Sequence, residues 1–136
     1  MAENLIDFYS GFEGEGEVRI YGDNTVISIW NGYFDPIMGV LFEIEKAYRE
    51  DASAFGVVAE YTTCTGWSGI TNGKHKINNL DDEIYAFSQF DSSMLERIND
   101  HMNDHWKSKI ISVHKAILEL LKSAHEKNID VYIEDF

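Results

Sequence analysis

Two histidines four positions apart, His101 and His105, form the tightest group of side chains in the sequence that could do chemistry. On a helix that spacing lets two imidazoles grip one metal ion. A hydrolytic zinc helix also needs a carboxylate after the first histidine as general base, and that position holds Met102, part of an apolar stripe. At ~100° per residue, His101 and His105 share one flank of the stripe, whereas His114 and His125 fall on the other. A third ligand would have to come from His75 or Cys64, both distant in sequence, so no metal is expected. Cys64 as a nucleophile would need a histidine or a helix N-terminus to lower its pKa, and at a strand end it reads as a packed thiol. Gly66-Trp67-Ser68-Gly69 is one glycine short of nucleophile-elbow spacing and lacks the following helix. The pairs Asp81-Asp82 and Glu134-Asp135 would work as acid and base only if a cleft separated their environments. The expectation is a protein without catalytic residues or cofactor.

Charge excludes more than any motif does. The chain carries 24 acidic and 11 basic side chains, a net −13. Residues 1–60 hold 12 acids against Arg19, Lys46 and Arg49, a balance of −9, whereas residues 106–136 hold five of each sign. Such a surface repels nucleic acid and anionic membrane, because binding either relies on Lys and Arg neutralising phosphates. It attracts a basic protein. In the glycine-punctuated stretch Ser10 to Glu17, the alternate residues Glu13, Glu15 and Glu17 repel one another and are expected exposed on a mobile loop. Glu43, Glu45 and Glu50 form a second acidic group, off the apolar face of a helix. Gly14 and Gly16 lack the strand, helix and lysine of a phosphate-cradling loop.

At 136 residues, with 44% apolar and 13% aromatic side chains, the chain reads as one folded domain over 1–136. The lone cysteine permits no internal disulfide. The first residues lack a signal-peptide pattern, and no apolar run reaches the ~20 residues of a membrane span, so a soluble cytoplasmic protein is expected.

The elements that must position any site follow from periodicity. From Ser93 to about Lys127, apolar residues recur at steps of three and four through Leu95, Ile98, Met102, Trp106, Ile110, Val113, Ile117 and Leu120. This predicts one long helix or two in near continuity. Ser93 with Glu96 reads as a capping box, and Asn128 suits a left-handed C-cap. Glu17–Tyr21 and Thr25–Trp30, joined by Gly22-Asp23-Asn24, predict a hairpin, and Asp35-Pro36 predicts a helix from there to about Glu50. Asn4 to Tyr9 reads as a helical turn or a packed arm. Strands are expected over 54–63, around an Asn72-Gly73 hairpin tip beside Lys74 and Lys76, over Ile84–Phe90, and over Ile129–Ile133, the last pairing inside the sheet. The fold class is α+β: a mostly antiparallel twisted sheet packed on one long C-terminal helix and a shorter one.

Aromatic residues stand beside acids in Asp7-Phe8-Tyr9, Phe12-Glu13, Tyr33-Phe34-Asp35, Tyr132 and Glu134-Asp135-Phe136. Together with small size, high negative charge, one cysteine and no catalytic set, this resembles the immunity proteins that bacteria make against secreted nuclease toxins. Barstar-like inhibitors and the immunity proteins of contact-dependent growth inhibition are examples. The resemblance is one of type over the whole chain, and no motif carries it. It implies a carboxylate-rich surface that occludes the basic active-site cleft of a toxin, with charge steering the encounter and aromatic anchors giving short-range affinity. The partner-binding residues expected on that basis are Glu13, Glu15 and Glu17 with Phe12 and Tyr33, or else Glu43, Glu45 and Glu50. Two other readings stand beside it. One is a small enzyme using His75, His101 or His105 as acid–base. The other is a homo-oligomeric adaptor burying Ile111 and Leu118 of the long helix.

Overall fold

The computed structural model describes residues 4–48, 75–77 and 80–135. The expectations for 54–63, Cys64, 66–69, Asn72-Gly73, Lys74 and Glu50 lie outside the described residues, as do the side chains of Glu45, His75 and Ile98.

The sequence of elements begins with three strands, β1 (Asn4–Phe8), β2 (Glu17–Gly22) and β3 (Thr25–Trp30), followed by helix α1 (Asn31–Tyr48). After β4 (His75–Lys76) come helix α2 (Leu80–Ser88), a 3-10 turn (Ser92–Met94) and the short helix α3 (Leu95–Ile98). The long helix α4 (Asp104–Lys127) then delivers β5 (Tyr132–Asp135). Among the described residues the strands form one sheet in the order β1-β3-β2-β5-β4. The pairings β2–β3, β2–β5 and β4–β5 are antiparallel, and β1–β3 is parallel. The expected α+β class and mostly antiparallel sheet are therefore present, with one parallel pair making the sheet mixed. The last strand does pair inside it, between β2 and β4, but spans Tyr132–Asp135 rather than Ile129–Ile133.

The β2–β3 hairpin turns through Asp23 and Asn24, whose φ angles of 50° and 56° are those of a type I′ turn. Asn and Asp tolerate this left-handed region because their short polar side chains bond locally. Asp23 also ties the turn to α4, accepting hydrogen bonds from Ser123 Oγ at 2.5 Å and Lys127 Nζ at 2.9 Å.

Alternation along the strands sends Val18, Ile20, Ile27, Ile29 and Ile133 to one face, where all are buried. Against them lie Phe34, Ile37, Val40 and Leu41 of α1 and Ile110, Val113, Ile117, Leu121 and Ala124 of α4. Asn128 closes α4 in the left-handed conformation, φ 63° and ψ 42°.

Four expectations need correction. Asn4 to Phe8 is neither a helical turn nor an arm but the edge strand β1, because its alternation places Ile6 and Phe8 toward the core and Leu5 and Asp7 away from it. Ile84–Phe90 is not a strand. Leu80, Ile84 and Phe87 share a helical face, and Ala86 and Phe87 are buried within α2. Ser93 does not cap the long helix. It lies in the 3-10 turn capped by Asp91, the chain breaks after Ile98, and Asn103 caps α4 by accepting from the Trp106 amide at 2.8 Å. Helix α1 starts at Asn31 rather than at Asp35-Pro36, so Pro36 falls inside it. Proline has no N–H to give the carbonyl four residues back. That carbonyl, of Gly32, instead accepts the indole Nε1–H of half-buried Trp106 at 2.9 Å.

Candidate functional site

The second face of the sheet carries a different chemistry. Strand register sets Arg19 beside Ser28 and Glu134, Tyr21 beside Val26 and Tyr132, and Leu5 and Asp7 of β1 beside Val26 and Ser28. This face is concave, enclosing ≈ 520 Å³ whose lining includes Leu5, Asp7, Tyr9, Glu13, Glu17, Arg19 and Tyr21 over a floor of Val26 and Ser28.

Its polar groups are held in place. The carboxylate of buried Glu17 accepts Arg19 Nε–H at 2.7 Å and the Ser28 Oγ–H. The bond to Glu17 raises the pKa of Arg19 further above its ordinary value. Tyr21 donates its phenol proton to Glu134 Oε1 at 2.6 Å. Burial first, and then this bond, pushes the Tyr21 pKa up to about 12, so the phenol stays a donor near neutral pH. At the rim, Asp7 Oδ1 accepts the backbone N–H groups of Tyr9 at 2.8 Å and Ser10 at 3.0 Å, and these bonds hold its carboxyl below the usual range.

The loop leading from β1 to β2 is built from hydrogen-bonded turns. Phe12 N–H donates to Tyr9 O and Glu15 N–H to Phe12 O, both at 3.0 Å, giving two successive turns. Each has a glycine third, Gly11 at φ 98° and Gly14 at φ 96°, a backbone that other residues rarely adopt. Glu13 accepts the Gly11 N–H at 3.1 Å, and Glu15 accepts the Trp30 Nε1–H at 3.1 Å. Phe12 stacks on Trp30 with ring centres 3.9 Å apart, and Tyr33 meets both rings edge-on.

The residues expected to bind a partner therefore divide. Glu13 and Glu17 line the concavity, but Glu17 is buried instead of exposed, because Arg19 and Ser28 compensate its charge. Glu15 is exposed and engaged with Trp30. Phe12 is half-buried and Tyr33 only 8% exposed, so both act as packing that fixes the loop. Glu43 is half-buried on α1, away from the concavity. The sequence reading missed Asp7, Arg19, Tyr21, Ser28 and Glu134. The alternation Glu17, Arg19, Tyr21 was visible, but their partners, Ser28 on β3 and Glu134 on β5, depend on strand register.

The histidines do not gather. His101 lies before α4, 92% exposed at its side chain and 3.4 Å from Asp100, so it does not share a helix with exposed His105. His125 Nε2 is 2.7 Å from Asp81, and half-buried His114 contacts the Phe87 carbonyl at 2.6 Å and stacks on Phe90 at 4.3 Å. Among the described residues, no three His, Cys, Asp or Glu side chains group as metal ligands, and no helix is long and apolar enough to cross a membrane. Ile111 is 44% exposed, whereas Leu118 packs partly buried against the core.

No protein-family model matches the chain, and no curated protein or solved structure matches it either.

Proposed function

We propose that this protein binds and neutralises a basic protein, of the nuclease-toxin kind, with the open face of its sheet occluding the partner's active-site cleft. The observation that carries this reading is the concave face itself, whose lining includes Asp7, Glu13 and Glu17, each carboxylate already held by a hydrogen bond. Carboxylates already held by backbone and side-chain bonds lose little freedom on binding, which favours affinity. The net charge of −13 steers a basic partner toward the molecule at long range.

The test is affinity capture on the immobilised chain, followed by nuclease assay of the captured protein with and without added chain. The expected partner is basic, is released as salt shortens the Debye length below ~8 Å, and loses its nuclease activity when the chain is restored. Glu13→Lys should slow association at least ~10-fold with little change in thermal stability. Capture that ignores salt, or turnover of a substrate by this chain alone, overturns the proposal.

A further inference from the structure

β1 ends the sheet, and among the described residues nothing pairs with its outer edge. Which backbone groups that edge offers follows from register. Asn4, paired with Thr25, donates its N–H to Asn24 O at 2.8 Å. In a parallel ladder, the residue that donates in this way turns its carbonyl to the same neighbour, and alternate residues repeat the pattern. Asn4, Ile6 and Phe8 therefore face β3. The N–H and C=O groups of Leu5 and Asp7 point away from the sheet, and Leu5 is 61% exposed, the most exposed large apolar side chain among the described residues.

Three hollows border this same edge. On the open face, Leu5 and Asp7 form one rim of the ≈ 520 Å³ concavity. On the helix side, a groove of ≈ 170 Å³ lies beside Ile6, with Ala116 and Leu120 on its apolar wall and Asp23, Glu119 and Ser123 on its polar one. A second, of ≈ 160 Å³, lies at the end of the strand beside Phe8, lined by Phe12 and Tyr33 together with Asp7, Ser10 and Lys109. Ile6 and Phe8 are two residues apart, about 7 Å along a strand, which is also the interval between same-side side chains of any strand laid next to β1.

We propose that the outer edge of β1 receives an extended basic segment of the partner as an added strand. The proposal rests on the reading of the chain as a binder of a basic protein and names how that protein docks. Main-chain bonds to Leu5 and Asp7 hold the segment, and its side chains alternate in role. Those on the open face are basic and meet Asp7 and Glu13. Those on the other face are small, as the two shallow grooves of mixed apolar and polar lining require. Charge selects this occupant over a second copy, since two chains of net −13 repel one another.

The test uses the full chain and a capped peptide, Lys-Val-Arg-Val-Lys-Val, beside the same peptide N-methylated at every residue and a third with Glu for each basic residue. Amide hydrogen exchange is followed by NMR. In the free protein the Leu5 and Asp7 amides exchange fast and those of Ile6 and Phe8 slowly. The unmodified peptide should slow Leu5 and Asp7 at least ~10-fold, and the N-methylated peptide should not. Leu5→Pro, which removes only an outward N–H, should weaken peptide binding ~10-fold while Ile6 and Phe8 stay protected. If that variant loses Ile6 and Phe8 protection, the N-methylated peptide decides the question. Equal, salt-sensitive binding of both basic peptides overturns strand addition and leaves the basic-partner reading standing. Acidic and basic peptides binding alike overturns that reading as well. Protection that grows with protein concentration alone assigns the edge to a second copy, and no protection at ~1 mM peptide also overturns the proposal.

Discussion

Val18 and Arg19 are adjacent in the chain and belong to different materials. Val18 faces a layer of Ile, Leu, Val and Phe side chains that excludes water and holds the helices on the sheet. Arg19 faces a polar array tied together by hydrogen bonds, and among the described residues no helix lies across it. The contrast separates two jobs that a single alternating strand performs at once. One face supplies hydrophobic stabilisation in proportion to area removed from water. The other holds charged groups in fixed positions, which contributes little net stability but prepares a surface for recognition.

The largest expected effect tests the first face. Ile27→Ala should cost ~2–5 kcal/mol in chemical denaturation, because the side chain is fully enclosed. Leu5→Ala, at the rim of the other face, should stay within about 0.5 kcal/mol. Equal losses would end the distinction.

Next comes the join between α1 and α4. Trp106→Phe removes the donor to Gly32 O and should cost ~1–3 kcal/mol. Pro36→Ala in the same chain gives that carbonyl an amide N–H and should recover part of the loss. A double-mutant cycle without coupling would show that the indole bond does not stand in for the missing helical one.

A smaller effect is expected on the open face. Glu17→Gln keeps the shape but removes the charge facing half-exposed Arg19, and should cost about 1 kcal/mol in urea. A loss as large as that of Ile27→Ala would mean that the polar array carries the fold.

The smallest concerns pH. Burial holds the His114 pKa below its ordinary 6.5, with the backbone contact to Phe87 opposing this. Below pH 6.5 the unfolded chain therefore binds a proton that the folded chain resists, so stability falls as pH drops from 6.5 toward the folded pKa. His114→Gln should flatten thermal denaturation midpoints across that window. The lowered carboxyls of Asp7 and Asp23 act separately, their contribution being lost only as pH falls through 3.8 and below. An unchanged slope in the variant would remove His114 as the source.

Much of this fold is legible in local pattern. The I′ turn at Asp23-Asn24, the stripe from Trp106 to Leu121 and the cap at Asn128 need only neighbouring residues to be inferred. What is hidden depends on distant partners. The start of α1 is obscured because Pro36 looks like a helix beginning, and the group that lets the helix run four residues further back is Trp106, 74 positions from the carbonyl it satisfies. For the candidate site, charge pointed to two acids that line the concavity, Glu13 and Glu17. It could not show that Glu17 is buried, since that depends on how β2 and β3 register, nor that Tyr21 would meet Glu134. The α2 misreading has a simpler cause: Ile84–Phe90 fits both periods, and Leu80 upstream decides for the helix.

The place of β5 in the sheet sets a timetable for synthesis. Its partner strand β2 leaves the ribosome early, yet Glu134 follows Tyr21 by 113 positions. At translation rates of ~5–20 residues per second, the β2 edge waits roughly 6–20 s for the strand that covers it. During that interval the β2–β3 hairpin can close but the nascent sheet keeps a sticky middle, so chaperone demand should peak before β5 emerges and fall once it inserts.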